Sequence, residues 1–216
     1  MRIPHHKLKC DYDTFRDRFI LKNNLDYVDS GCFASVYEPN SKSDYVYKIG
    51  RLNPRRHDGY LCFIKNIVLK SKNNPFVPVI HAMSMYSYYD KWAEAELYFY
   101  IIKMERLHNY SSISTKRCHK LLRGHNIDPS FDNNGFWGPD EGWLDDWEGY
   151  LDGDEWESDE KHFMHKYPKQ LGAMLTKMRK MVKDTDHIEG DVHSGNIMWR
   201  KTGGHKRQLV LTDPLC

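Results

Sequence analysis

Residues 191–198 read Asp191-Val-His-Ser-Gly-Asn196-Ile-Met198, and Leu211-Thr-Asp213-Pro214 follows after one short hairpin. The polar and glycine residues of the first stretch favour a loop. Ile197-Met-Trp-Arg200 and Gln208-Leu-Val-Leu-Thr-Asp213 then read as two strands joined through Thr202-Gly-Gly204. An Asp and an Asn therefore stand five apart on one loop, and the partner strand delivers a second Asp. Two carboxylates and an amide are hard oxygen donors of the kind that hold magnesium over polyphosphate, and a loop carboxylate can also orient a hydroxyl. Taken singly, each residue has a plainer use: Asp191 after Gly190 in a turn, Asn196 bridging one, Asp213 as a cap. Their joint occurrence predicts phosphoryl transfer, with Asp191 as base and Asn196 and Asp213 as metal ligands.

Upstream, residues 161–183 form an expected helix, with Tyr167, Leu171, Met174, Leu175, Met178, Met181 and Val182 on one face. Before it, residues 137–160 hold eleven acidic residues, four tryptophans and no Lys or Arg, and read as a loop or partly disordered insertion. The 19 acidic residues elsewhere face all 32 Lys and Arg, so a net charge of +2 conceals a basic body with a surplus of 13. The acidic stretch is a candidate site for a basic partner. Residues 108–136 are polar and irregular, with one helix expected over 114–122.

The first half reads as β-rich. A helix over 11–24 places Tyr12, Phe15, Phe19 and Ile20 at helical spacing. Val28, Phe33, Val36 and Tyr37 lie on one strand-like run and Tyr45-Val-Tyr-Lys48-Ile on a second, turned at residues 39–44. A helix is expected over 58–70. A further hairpin runs from Val77 to Tyr89 and back from Leu97 to Met104. The class is α+β, with a boundary near residue 107 between a β-rich first part and a mainly helical second part.

With 40% hydrophobic and 29% charged residues, and no apolar run of membrane length, the chain is expected to be soluble and cytoplasmic. Five scattered cysteines without CxxC spacing exclude a disulfide framework and a zinc ribbon, and the twelve histidines lack metal-site spacing. No Walker-type phosphate loop is present. The basic surplus could serve nucleic acid or nucleotide phosphates; nucleic acid is not the expected partner.

Other stretches match parts of a protein kinase. Ser30-Gly31-Cys-Phe33-Ala-Ser-Val36-Tyr resembles the later part of a glycine-rich loop, with Gly31 as the middle glycine, Phe33 as the tip aromatic and Val36 against adenine. Asp29 and Ala34 stand where flanking glycines are usual. Val46-Tyr-Lys48-Ile resembles the strand whose lysine pairs the nucleotide phosphates. Ile102-Lys-Met104-Glu105-Arg-Leu107 resembles the hinge, whose backbone near Glu105 and Leu107 would hold the adenine edge.

Taken together, DVHSGNIMW (191–199) with LTDP (211–214), SGCFASVY (30–37), and VYKIG (46–50) leading into DGYLCF (58–63) resemble the early serine/threonine protein kinases of autographiviruses, the podophages that encode their own RNA polymerase. The likeness spans the chain from about residue 25, least over 137–160. It implies a minimal two-lobe kinase-like fold: an N-lobe over 1–107 and a reduced C-lobe over 108–216. It also implies ATP and Mg2+ as cofactors, and host proteins of transcription and RNA metabolism as substrates. Three departures stand out. The 58–70 helix lacks a glutamate for Lys48, leaving Asp58, Glu94 or Glu96 as substitutes. Pro214 follows the metal Asp in place of phenylalanine. Gly190 replaces the arginine that receives an activating phosphate, so activity is expected without prior phosphorylation. The alternatives are a minimal bacterial effector kinase, a small-molecule phosphotransferase, and a non-enzymatic binding protein using the acidic stretch.

Overall fold

In the computed structural model, which describes residues 2–31, 34–40, 42–52, 58–71, 73–109, 120–121, 123–124, 151–152, 167–185, 188–191, 194–203 and 206–215, the alternating stretches of the first half form one sheet. Its strands are β1 (His5–Lys7), β2 (Asp26–Ser30), β3 (Ala34–Glu38), β4 (Tyr45–Leu52), β5 (Ile80–Asp90) and β6 (Ala95–Glu105), in spatial order β1-β5-β6-β4-β3-β2. Helix α1 (Tyr12–Asn23) lies between β1 and β2 in the chain, and α2 (Gly59–Phe63) between β4 and β5. A second sheet of β7 (His108–Asn109), β8 (Ile197–Lys201) and β9 (Arg207–Leu211) accompanies α3 (Lys169–Asp184). The architecture is α+β.

Two compact units divide the chain: Met1–Arg56 with Val79–Arg106, and His57–Pro78 with Leu107–Cys216. The expected boundary at 107 falls beside the second division. Residues 57–78, expected in the first lobe, cluster with the second unit instead. Among the described residues no helix is long and apolar enough to cross a membrane.

In the first unit the period-2 pattern sorts side chains to two faces. Tyr37, Ile49, Tyr88, Phe99 and Ile101 face α1 and form a buried core with Tyr12 and Leu25. Ring pairs dominate it: Tyr12 meets Phe99 edge-on at 5.1 Å, Phe19 meets Tyr47 edge-on at 5.4 Å, and Phe15 lies 4.7 Å from Tyr86. Such pairs add about 0.5–1.5 kcal/mol each beyond area burial. Asp11 starts α1 by accepting from Thr14 N–H at 2.8 Å. Asn24 ends it in the left-handed region at φ 50°, where an asparagine is tolerated.

The other face carries the cross-strand row Val36–Lys48–Ile102–Met83 and, next to it, Ala34–Gly50–Tyr100–Met85. The single run expected over 28–37 is two strands, because Gly31 N–H donates to the Ala34 carbonyl at 2.9 Å and folds β2 back on β3. Strand β1, unexpected in so polar a stretch, pairs in parallel with β5 through backbone bonds that flank it, Leu8 N–H to Ser87 O and Met85 N–H to Pro4 O.

In the second unit, Asp58 caps α2 by accepting from Leu61 N–H at 2.7 Å. The expected 58–70 helix is α-helical only to Phe63 and continues as a π-helical segment over Ile64–Val68, in which Ile64, Ile67 and Val68 are all buried. Helix α3 is shorter than the expected 161–183. Pro168 has extended backbone and opens it, Tyr167 is buried outside it, and 161–166 lie outside the described residues. Of the 114–122 helix, only residues 120 and 121 are described, both helical. Residues 74–77 are stapled to this unit: Asn74 Nδ2 donates to Gln170 O, Leu211 N–H to Phe76 O, and Arg200 to the Val77 carbonyl.

Gly50 shows how tightly the second face of the six-stranded sheet is filled. A Cβ there would fall 2.2 Å from the ring carbon and hydroxyl oxygen of Tyr100, whose side chain is 1% exposed and has no open space to swing into. Gly50→Ala is therefore expected to destabilise the fold by about 1–3 kcal/mol, the usual cost of overpacking. Denaturant unfolding followed by tryptophan fluorescence measures it, and Gly50→Ala/Tyr100→Leu, which removes the clashing ring, should recover part of the loss.

Candidate functional site

The described residues of the loop before β8 are tied by hydrogen bonds to the segment after β9. Asp191 N–H donates to the Pro214 carbonyl at 2.9 Å, and Gly190 forms a bridge with Leu215. Thr212 donates twice to the Asn196 carbonyl, from its N–H and its hydroxyl, both at 2.9 Å. Asp213 is thus held between two residues that are each bonded to the loop. A short 3-10 turn, Ser194–Asn196, leads into β8.

Asn196 closes the loop on itself. Its Nδ2 donates to the Asp191 carbonyl at 2.8 Å and to Asp191 Oδ2 at 2.9 Å. Both partners are acceptors, so the amide must present nitrogen to them, which turns its oxygen to the opposite side. Asp191, Asn196 and Asp213, read from sequence as base and metal ligands, are therefore brought together within one unit.

Tyr60 of α2 joins this neighbourhood. Burial pushes its phenol well above the ordinary value, and the carboxylates of Asp213 and then Asp58 push the same way, so it stays protonated. Sequence reasoning missed Tyr60 because its run reads as an ordinary apolar helix face.

The donor set fits Mg2+ held jointly with nucleotide phosphates. The candidate ligand atoms, from Asn196 and Asp213, are oxygens, and one carboxylate with one amide is the modest protein share such a site needs. Among the described residues no group of three or more His, Cys, Asp or Glu side chains forms a metal cage of its own.

In the first unit, Lys48 and Val36 are direct cross-strand partners, and Ile102 is the partner of Lys48 on its other side. Side chains so paired share a face with Cβ atoms about 4.5–5.5 Å apart. The half-buried Lys48 stem therefore runs between two aliphatic neighbours. A Cβ on Gly31 would meet nothing within 4 Å. Phe33 lies outside the described residues. Glu105 N–H donates to the Val79 carbonyl at 2.9 Å, and its side chain accepts from Val79 N–H at 2.7 Å. An adenine amino group needs an acceptor, so the expected role rests on the Glu105 carbonyl. Leu107 is half-buried and belongs to the second unit.

Two of the proposed partners for Lys48 are excluded by register. Glu96 is six residues along β6 from Ile102, about 20 Å at strand rise. Hydrogen bonds from Ser87 and Tyr98, with Lys7 adding, hold its carboxyl below the usual range. Glu94 lies farther still, in the β5–β6 turn. The third, Asp58, is the cap of α2.

The acidic stretch 137–160 lies outside the described residues except for 151–152. Asp152, expected with its neighbours to attract a basic partner, accepts through Oδ1 from Gly190 N–H at 2.8 Å. The one sign of this in the sequence is Gly190 itself, a residue without a side chain beside Asp191.

No model of a known protein family matches the chain, and no curated protein matches it.

Thr212 is 7% exposed, and its hydroxyl bond doubles the tie between the two strands of the site. Thr212→Val keeps the shape and the backbone bond but removes the donor. It should cost about 1 kcal/mol in chemical denaturation and speed amide exchange at Asn196. Thr212→Ser should restore both.

Proposed function

We propose that the chain is an ATP- and Mg2+-dependent protein kinase that phosphorylates serine or threonine. The observation that carries this reading is the Asn196 amide bonded to the Asp191 carbonyl and to its Oδ2, in a loop tied on either side of Asp213. A turn or cap role for these residues would not require one amide to orient the carboxylate while the neighbouring strand positions a second.

In this reading Asp191 accepts the proton of the acceptor hydroxyl as that oxygen bonds to the γ-phosphorus and the bond to the β–γ bridging oxygen breaks. Asn196 keeps the Asp191 carboxylate in one orientation. Asn196 Oδ1 and the Asp213 carboxylate would hold the metal. When bound, Mg2+ neutralises charge on the β- and γ-phosphates. Lys48, fixed between Val36 and Ile102, supplies a further cation for the phosphates, and the Gly31 turn lets backbone approach them closely. Tyr60 remains a protonated donor within electrostatic reach of Asp213.

The protein class of the acceptor rests on the resemblance of the loop, the lysine strand and the glycine turn to the phage enzymes. That resemblance extends the proposal to a phage-encoded kinase in the host cytoplasm acting on host proteins of transcription and RNA metabolism. The acidic stretch, apart from Asp152, is proposed to attract basic segments of those substrates.

Labelled ATP with Mg2+ and a bacterial lysate should place label in protein bands. Label in a small molecule would identify a small-molecule phosphotransferase, and no label would leave a binding protein. Asp191→Asn preserves an acceptor for Asn196 yet removes the base, and should lower transfer ~10²–10⁴-fold with unchanged thermal unfolding; near wild-type labelling would sink the assignment. Gly31→Ala meets no atom of the described residues within 4 Å, so it should raise the KM for ATP without loss of stability.

A further inference from the structure

Leu151 and Asp152 press against the start of the Asp191 loop. Leu151 is fully buried. A Cβ on Gly190 would lie 3.1 and 3.2 Å from the two carboxylate oxygens of Asp152 and 3.2 Å from Leu151 Cβ. Position 190 therefore has no comfortable room for any side chain. Gly190 is itself buried, so its N–H needs a partner, and the Asp152 Oδ1 atom is the acceptor it finds. The next N–H, that of Asp191, is bonded to Pro214. Two consecutive amides leading into Asp191 are thus held, one by the acidic stretch and one by the segment after β9.

We propose that Asp152 is a positioning residue for Asp191, acting through the Gly190 peptide; this rests on the phosphotransfer reading above. What Asp152 supplies is a hydrogen-bond acceptor rather than net charge. That separates it from the other acids of its stretch, whose attraction for a basic segment requires charge and no particular geometry. Asparagine at 152 keeps the acceptor and loses the charge, so the two roles come apart in one substitution. The side chain of Asp152 is solvent-accessible, so truncation admits water to the Gly190 N–H and loosens the loop without opening the core.

The test combines steady-state kinetics on a short peptide with the Gly190 amide resonance of the full-length protein. Asp152→Ala should lower kcat ~10–100-fold, the scale of a small misplacement of a reacting group, with little change in KM for ATP or peptide. The Gly190 amide should shift and exchange faster. Asp152→Asn should keep both near wild type. Gly190→Ala crowds the same contact and should reproduce the kinetic defect, and adding Asp152→Ala to it should cost little more. It also provides a second variant should Asp152→Ala fold poorly. Equal damage from Asp152→Asn and Asp152→Ala, or an amide that does not respond to Asp152→Ala, would overturn the tether. A wild-type chain that transfers no phosphoryl group while its Gly190 amide still responds would overturn the phosphotransfer reading, and with it the catalytic purpose of the contact.

Discussion

The Asn196 side chain satisfies two acceptors of Asp191 while its own carbonyl receives two bonds from Thr212. A loop of this length has no ladder of its own, so every polar group in it must find a partner elsewhere or face water. Asn196 solves this for both ends at once. Its amide stops the Asp191 carboxylate from rotating, and its backbone fastens the loop to the strand that ends beside Asp213. Removing the amide would take away both bonds that Asn196 makes to Asp191, to its carbonyl and to its Oδ2.

The same economy governs the six-stranded sheet. Its two faces have different contents because β-structure assigns alternate residues to opposite sides. One face spends its aromatic residues on α1. The other sets the half-buried Lys48 in a row of Val36, Ile102 and Met83. A lysine with aliphatic neighbours on both strands loses much of the freedom of an exposed one, and in the proposed reaction that would lower the entropy cost of holding a phosphate. Gly50, two residues on, is needed for a packing reason, the Tyr100 ring, and its place after Lys48 owes nothing to ligand approach.

What was legible in the sequence follows from which signals are local. The period of α1, the β5–β6 hairpin and the final hairpin all show in residue order, because each buries one face in a regular rhythm. The five-residue spacing of Asp191 and Asn196 is local too, and the structure turns it into a contact. Strand β1 was not legible, since His5-His-Lys7 has no apolar rhythm and its order comes from the edge of β5. Strand β7 is two residues long and exists through its pairing with β8. The switch from α to π winding after Phe63 alters no composition, only which of several apolar residues turn inward. The tie from Asp152 to Gly190 spans 38 positions and leaves only the glycine itself as a trace in the sequence.

Gly190 illustrates how one absent side chain admits two physical readings. Compared with regulated kinases, the glycine is a missing arginine, and so a missing receptor for an activating phosphate. In the structure it sits in a tight place, because a Cβ there would lie 3.1 and 3.2 Å from the Asp152 carboxylate oxygens and 3.2 Å from Leu151 Cβ, and these neighbours would have to give way. The second reading explains the first. With its N–H held by a carboxylate from within the same unit, the peptide before Asp191 has no arginine-borne phosphate to wait for. The contacts that order the loop come from Asp152, Asn196, Thr212 and Pro214, all contributed by folding. In the proposed reaction such a loop is arranged before any modification occurs, and control would have to act on access to the site or on the acidic stretch, not on the placement of Asp191.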